Sequence, residues 1–450
     1  MDDTNQIISG SFVHNIKTII AHAVHGDCEN EENSGYYFIS VKDLEPYKIN
    51  YQNARQITYK DYVGAHKRTK LENGDVLFAN SGDTIGKTLR VKDVNVKTNR
   101  TTFQKSIAIL KPNSDIIDEV YFYYLIKYYT PGLRKAAVGS AQKNLLLDTI
   151  RNFNVEINHL LPNQRNTIHI LELIDSKIEL NNRINAELEA MAKTLYDYWF
   201  VQFDFPNESG KPYKTSGGKM VWNEELKSEI PEGWQVKSLA EITDVSNESI
   251  NPMDSPAKKF KYYSIPGFDT SGTFAIEKGE EIKSNKFTVK ATDVLVSKLN
   301  PWFSRVIYST DDSDLFCYTE FVVWRTSDIA IKNYMYMIAR DASFVTYCTQ
   351  SASGTSNSHK RVNPIVMMKY QIVYNDEIAR QFGTTLGSTI KMFAKNQIEN
   401  QQLSELRDWL LPMLLNGQVT VDKSAENKAS YKIEEEMRMA AEPGDDPGKI

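Results

Sequence analysis

The chain has 450 residues, room for two to four ordinary domains, and is 41% hydrophobic and 25% charged, the profile of a globular protein. Cys28, Cys317 and Cys348 have no CxxC spacing, which argues against a disulfide framework or a cysteine-rich zinc site and fits a reducing cytoplasm. No apolar run reaches the roughly 18 residues a membrane span needs, and the polar start is no secretory signal. A formal net charge of −5 weighs against an anionic partner. Residues 422–450 alone carry eight acids against five bases, however, and local basic clusters matter more than the total.

In chain order, residues 1–160 form a first mixed globular part. Short strand-like runs occupy 75–79 and 106–110, and 120–127 reads as a helix. The Tyr-rich stretch 121–129 is expected to pack on a sheet rather than to stack on bases. A long helix follows at 161–202. Residues 203–230 contain the run NESGKPYKTSGGK (207–219), a linker by composition. A second globular part, 231–375, has strand-like runs at 293–297 and 320–324 and a helical one at 332–340. A second long helix covers 376–416. The polar tail 417–450 is expected to be disordered.

The chain repeats itself, which is its strongest signal. In the first long helix Leu171, Ile174, Ile178, Leu188, Ala192, Leu195 and Trp199 recur at alternating spacings of three and four, interrupted by Asn181 and Asn185. Shifted by 215 residues, Asn181 falls on Asn396 and Asn185 on Asn400. Leu171, Leu188 and Leu195 fall on Leu386, Leu403 and Leu410, Ile178 falls on Phe393, and Arg165 on Arg380. The globular parts echo each other as well, Tyr37–Ile39 in Tyr263–Ile265, Gly74–Phe78 in Thr292–Val296, and Gly139 with its polar run in Gly354 with its own.

A helix of about 36 residues is about 54 Å long and cannot hide such a seam alone. Two copies in one chain can hide theirs against each other. The expected arrangement is an antiparallel coiled coil with pseudo-two-fold symmetry, in which Asn181 meets Asn400 and Asn185 meets Asn396. Buried Asn costs stability but fixes register. Such a pair is a ruler whose length is comparable with a turn or more of duplex.

Chemistry of the chain's own finds little support. Gly82-Asp-Thr-Ile-Gly86-Lys87-Thr88 approaches a phosphate loop, but Walker spacing needs glycine where Ser81 stands. Asn300-Pro301-Trp302-Phe303 approaches the Asn-Pro-Pro-aromatic motif of adenine methyltransferases without its second proline or a cofactor loop. Glu225-Leu-Lys227 is weak as nuclease chemistry. His22, His25 and Cys28 are ligand types close together, but surface histidines on an irregular segment explain them better than zinc.

Several runs nevertheless match a family in order and spacing. They are Pro231-Glu-Gly-Trp-Gln-Val-Lys-Ser-Leu239, Leu195-Tyr-Asp-Tyr-Trp-Phe200, Leu406-Arg-Asp-Trp-Leu-Leu-Pro412, Gly74-Asp-Val-Leu77 and Ser356-Asn-Ser-His-Lys-Arg361. With them the chain resembles the specificity subunits of type I restriction–modification enzymes from about Tyr36 to Gly417. It departs at the start, where no Pro-x-Gly-Trp precedes the first domain. The resemblance implies two α/β (α+β) target-recognition domains joined by the two long helices, each domain reading one half of a split, asymmetric site on double-stranded DNA. The helices would set the gap and bind two methylation subunits, which motor-nuclease subunits join. S-adenosylmethionine, ATP and Mg are then expected on the partners, and the chain itself is not an enzyme. The alternative is a non-catalytic scaffold whose helices recruit protein partners.

Sequence readout needs donors and acceptors on loops, Arg and Lys suiting guanine, Asn and Gln suiting adenine. The candidates in the first half are Lys67, Arg68, Lys70, Asn80, Ser81, Lys87, Arg100, Gln142, Lys143 and Asn144. In the second half they are Lys298, Asn300, Arg305, Ser356, Asn357, Ser358, His359, Lys360 and Arg361. Replacing Lys360 and Arg361 with Ala is expected to weaken DNA binding and lower its salt dependence.

Overall fold

A computed structural model describes residues 7–11, 16–20, 28–139, 143–158, 161–310, 313–354 and 359–419; for 7–11, 16–20, 68 and 158 it describes the backbone alone. His22, His25, Gln142, Ser356, Asn357, Ser358 and most of the tail lie outside these residues. The chain divides into two compact units. Unit 1 comprises 1–179 with 403–450, and unit 2 comprises 180–402.

In unit 1, β1 (Ile7–Ser11) pairs antiparallel with β9 (Asn154–Asn158). A four-stranded antiparallel sheet follows the order β2 (Ile16–Ile20), β8 (Ile107–Pro112), β5 (Val76–Ala79), β6 (Thr88–Arg90). A second sheet holds β4 (Arg55–Gln56), β3 (Tyr37–Ile39) and β7 (Thr101–Phe103), with β3 and β7 parallel. Strand β5 is buried throughout because its alternating side chains enter two cores. Val76 and Phe78 pack with Tyr121, Phe122 and Leu125 of helix α2 (Glu119–Lys135), while Leu77 and Ala79 pack with Ile39 and Phe103 of the second sheet. Helix α1 (Tyr59–Thr69) precedes β5, and α3 (Leu147–Arg151) precedes β9.

Unit 2 repeats this plan. β12 (Gln235–Ser238) pairs with β22 (Gln371–Tyr374) as β1 does with β9. The four-stranded sheet runs β13 (Asp244–Ser246), β21 (Phe321–Arg325), β18 (Asp293–Ser297), β19 (Val306–Tyr308). The other sheet centres on β15 (Lys259–Tyr263) and β20 (Leu315–Cys317), again parallel. Val294 and Val296 face helix α6 (Ile329–Arg340), and Leu295 faces Tyr263 and Leu315. Both units are therefore α/β layers, and the first begins at β1, the counterpart of β12, although the Pro-x-Gly-Trp entry is missing there.

The two units also share an ion pair on a buried aspartate at the start of the central strand. Lys111 Nζ lies 2.7 Å from Asp75, and Arg325 lies 2.8 Å from Asp293. The helix N-caps correspond too. Asp118 caps α2 and pairs with Arg165, and Asp328 caps α6 and pairs with Arg380, the arginine that the 215-residue shift connects to Arg165.

Composition alone misreads 203–230 as a linker. The segment carries a hairpin, β10 (Met220–Asn223) with β11 (Ser228–Pro231), and Phe205 is buried, stacked on Tyr213 at 4.6 Å and beside Trp234 at 5.0 Å. Its aromatics complete the core of unit 2.

The long helices are α4 (Leu161–Tyr196, 36 residues, continued by a π turn at Asp197–Val201) and α9 (Asp376–Leu415, 40 residues). Each belongs partly to each unit. Within unit 2 they run antiparallel. Asn181 Nδ2 donates to Asn400 Oδ1 at 2.9 Å, Asn396 Nδ2 donates to Asn185 Oδ1 at 2.9 Å, and Tyr196 meets Phe382. Within unit 1, Leu171 of α4 shares a core with Leu411 and Leu414 of α9. There Arg407 pairs with the buried Asp175 at 2.7 Å, and Asp175 also accepts from Tyr47 (3.0 Å) and Tyr124 (2.6 Å).

Candidate nucleic-acid interface

The central strand of each unit ends in a tight turn that returns as the next strand, β5 to β6 in unit 1 and β18 to β19 in unit 2. A second segment, reaching the same place from the far end of the unit, is tied to this turn by peptide groups. In unit 1, Asn80 N–H donates to Ser106 O (3.0 Å), Leu145 N–H to Asn80 O (2.8 Å) and Gly82 N–H to Lys143 O (2.8 Å). In unit 2, Lys298 N–H donates to Glu320 O (2.9 Å), Val362 N–H to Lys298 O (3.0 Å) and Asn300 N–H to Lys360 O (2.7 Å). Val138 with Asn144, and Ser353 with Arg361, exchange both backbone hydrogen bonds and so pinch the second segment into a hairpin. The two units thus build one frame from residues of different type.

The turns share an unusual backbone. Gly82 (φ 67°) and Gly86 (φ 90°) bracket the first, and Asn300 (φ 49°) and Ser304 (φ 47°) the second. Glycine adopts this region without strain, whereas Asn300 and Ser304 do so at a cost that the surrounding hydrogen bonds must hold. Asn300 Oδ1 accepts from Lys360 N–H at 3.0 Å, which contributes to holding it.

The candidate residues divide clearly. Ser81, Lys143 and Asn144 come together in unit 1, with Ser81 Oγ donating to Asn144 Oδ1 at 2.9 Å and the Lys143 and Asn144 side chains exposed. Lys298, Asn300, Lys360 and Arg361 come together in unit 2, beside the exposed His359. Lys67 and Lys70 are exposed on and just after α1, an element outside this frame's hydrogen bonds, and Arg68 is described by its backbone alone.

Four assignments need correction. Asn80 is buried, its Nδ2 weakly engaging Leu145 O at 3.5 Å and its Oδ1 without a hydrogen-bond partner, so it holds the frame and does not reach outward. Lys87 is half-buried and donates to Val41 O at 3.3 Å. Arg305, its side chain only 10% exposed, is clamped by both oxygens of Asp269 (2.5 and 2.7 Å) and lies 4.5 Å over the Phe303 ring. Arg361 is exposed but pairs with Glu320 at 2.9 Å, so much of its charge is already neutralised.

Arg100, by contrast, joins an aromatic patch that the sequence reading missed. It lies 5.7 Å over Tyr36, which meets Tyr62 at 4.6 Å and the 60%-exposed Tyr59 at 5.2 Å. Trp302 and Phe303, weighed in the sequence only against a methyltransferase motif and not as DNA contacts, are 38% and 59% exposed at the tip of the unit 2 turn. Their signal was a Pro-aromatic-aromatic run separated by three residues from the end of a strand. Among the described residues no cluster of His, Cys, Asp and Glu is disposed to hold a metal, and no helix is long and apolar enough to cross a membrane.

Residues 23–190 match the family model described as the type I restriction modification DNA specificity domain. The type I restriction enzyme MjaIX specificity subunit of Methanocaldococcus jannaschii is 25% identical over 86% of this chain and 87% of its own length. Over most of its length the chain is thus similar to type I specificity subunits. The HindI specificity subunit of Haemophilus influenzae is 24% identical over 80% of this chain and 89% of its own. In fold, the crystal structure of a type I restriction–modification S subunit from M. genitalium is similar, with a TM-score of 0.54 at 12% identity, covering 92% of this chain and 97% of that one. Specificity subunits are non-catalytic parts of their complexes, and the scaffold alternative is not favoured.

Proposed function

We propose that this specificity subunit reads a bipartite, asymmetric site on double-stranded DNA, each unit recognising one half through its strand-end turn and the hairpin bound to it. The paired helices set the gap between the halves and bind two methylation subunits, to which motor-nuclease subunits add. S-adenosylmethionine, ATP and Mg then belong to those partners, and the complex works in the cytoplasm. The carrying observation is the backbone frame common to both units. It holds two segments from distant parts of the sequence at one place, and the exposed donors and acceptors there differ between the units, as readers of two unlike half-sites require.

The test is to co-express the chain with its methylation subunits in a host lacking adenine methylation and to map modified adenines across the genome. The expected result is one split motif with a fixed gap. Methylation without a common motif would overturn the proposal. With the motif in hand, Lys360→Ala is expected to weaken binding of the matching duplex several-fold and to reduce the salt slope by about one. An unchanged slope removes Lys360 from the phosphate contacts.

A further inference from the structure

The geometry points to the Asn300–Ser304 turn of unit 2 as a base-contacting wedge, in which Trp302 and Phe303 press apolar ring surface against the bases of the half-site that unit reads. This rests on the proposed function and adds to it a determinant that acts through apolar ring faces and carries no charge.

Three observations carry it. First, the rings sit at the tip of the framed turn, whose neighbours Lys298, His359 and Lys360 supply positive or polar groups suited to a phosphate backbone; of the acids nearby, Arg361 occupies Glu320 and Arg305 occupies Asp269. Second, the rings are held in place. Asn300 and Ser304 fix the turn in left-handed conformations, and Arg305, pinned by Asp269, lies across Phe303 from one side, leaving 59% of that residue exposed. Third, the matching turn of unit 1 has the same frame but a different tip. Thr84 stands where Trp302 does, exposed, and Ile85 stands where Phe303 does and is buried at 3%. Unit 1 therefore folds its turn without exposing apolar surface, so the fold does not require the exposed rings of unit 2. An aromatic face meets DNA through base carbon, either a thymine methyl or the face of an opened step.

The experiment uses the full chain assembled with its methylation subunits. The wild-type complex selects duplexes from a random-sequence pool, and the selected duplex is titrated against Trp302→Ala/Phe303→Ala and against Trp302→Thr, which copies unit 1. The expected loss is tenfold or more for the selected duplex, with the salt slope unchanged, since no phosphate contact is removed. Preference is expected to relax at adjacent positions of one half-site only, and thermal unfolding to stay as in the wild type. Replacing thymine by deoxyuridine in that half-site reads the methyl contribution; a loss there assigns methyl contact, and no loss assigns contact with an opened step. Wild-type affinity and preference in both variants would overturn the inference. So would normal folding with failed assembly, which gives the rings to a protein interface. A wild-type complex that selects no sequence overturns the proposed function itself.

Discussion

Lys332 sits on α6 with 1% exposure, donating to the Ala291 and Ser309 carbonyls under the Tyr308 ring, where its unit 1 counterpart is Phe122. Burial lowers its pKa to about 7, against the opposing pull of Asp293. The folded chain therefore binds fewer protons than the unfolded one between about 7 and the usual lysine value of 10.5, and this group makes stability rise with pH across that window. Relative to Lys332→Met, wild-type stability is expected to climb by up to about 1.4 kcal/mol per pH unit between pH 7 and 9, read from urea unfolding. Equal slopes would show that the ammonium is not desolvated. Asp175 behaves oppositely. Burial would raise its carboxyl, but Arg407, then Lys127 and the Tyr124 hydroxyl, outweigh this and hold it below the ordinary range. Its contribution is fully present above the ordinary carboxylate range and lost as pH falls through the lowered value. Arg407→Met removes the ion-pair partner of that buried carboxylate, leaving it Lys127 and the Tyr47 and Tyr124 hydroxyls, and is expected to cost about 3 kcal/mol in the same assay; a change below 1 kcal/mol would show the site admits water.

Among the elements, the long helices tell most about what a sequence discloses. Their seam was legible because a period of three and four runs through some five heptads, and the Asn layer was legible because it recurs after 215 residues. Asn396→Ala takes the donor from the buried Asn185 Oδ1 and is expected to destabilise by about 1–3 kcal/mol in chemical denaturation, whereas Asn185→Leu with Asn396→Leu restores or exceeds wild-type stability. Additive losses in the double variant would mean that the amides do more than pair with each other. The central strands and α2 and α6 were equally legible from alternation and apolar runs. The frame of the interface was not, because peptide N–H and C=O groups build it, and every residue has them. Arg305 looked like a DNA contact because Asp269 lies 36 residues away, and nothing local announces that they meet. At 203–230 the Gly, Ser and Lys content outvoted Phe203, Phe205 and Tyr213, which the fold buries or half-buries.

For the molecule as a whole, chain order and structural membership do not coincide. Unit 1 is discontinuous, and its core is completed by Leu411 and Leu414 from the far end of the chain. A fragment ending at residue 202 lacks those leucines and the Arg407 counter-charge. It is expected to be unfolded or self-associated in sedimentation, and to recover a monodisperse one-to-one complex when co-expressed with 203–419. A stable monomeric fragment would show that unit 1 closes without the distant helix.

The peptide-group frame around the two turns has a further consequence. Its ties do not depend on which side chains stand at the exposed positions 83, 84, 302 and 303, so those positions can be rewritten without dismantling what presents them. Unit 1 and unit 2 already display two such spellings on one scaffold, one polar and one aromatic. On the proposed function, a single substitution at a tip changes one word of the address while the other word stays intact, and a host gains a new immunity without having to refold its sentinel.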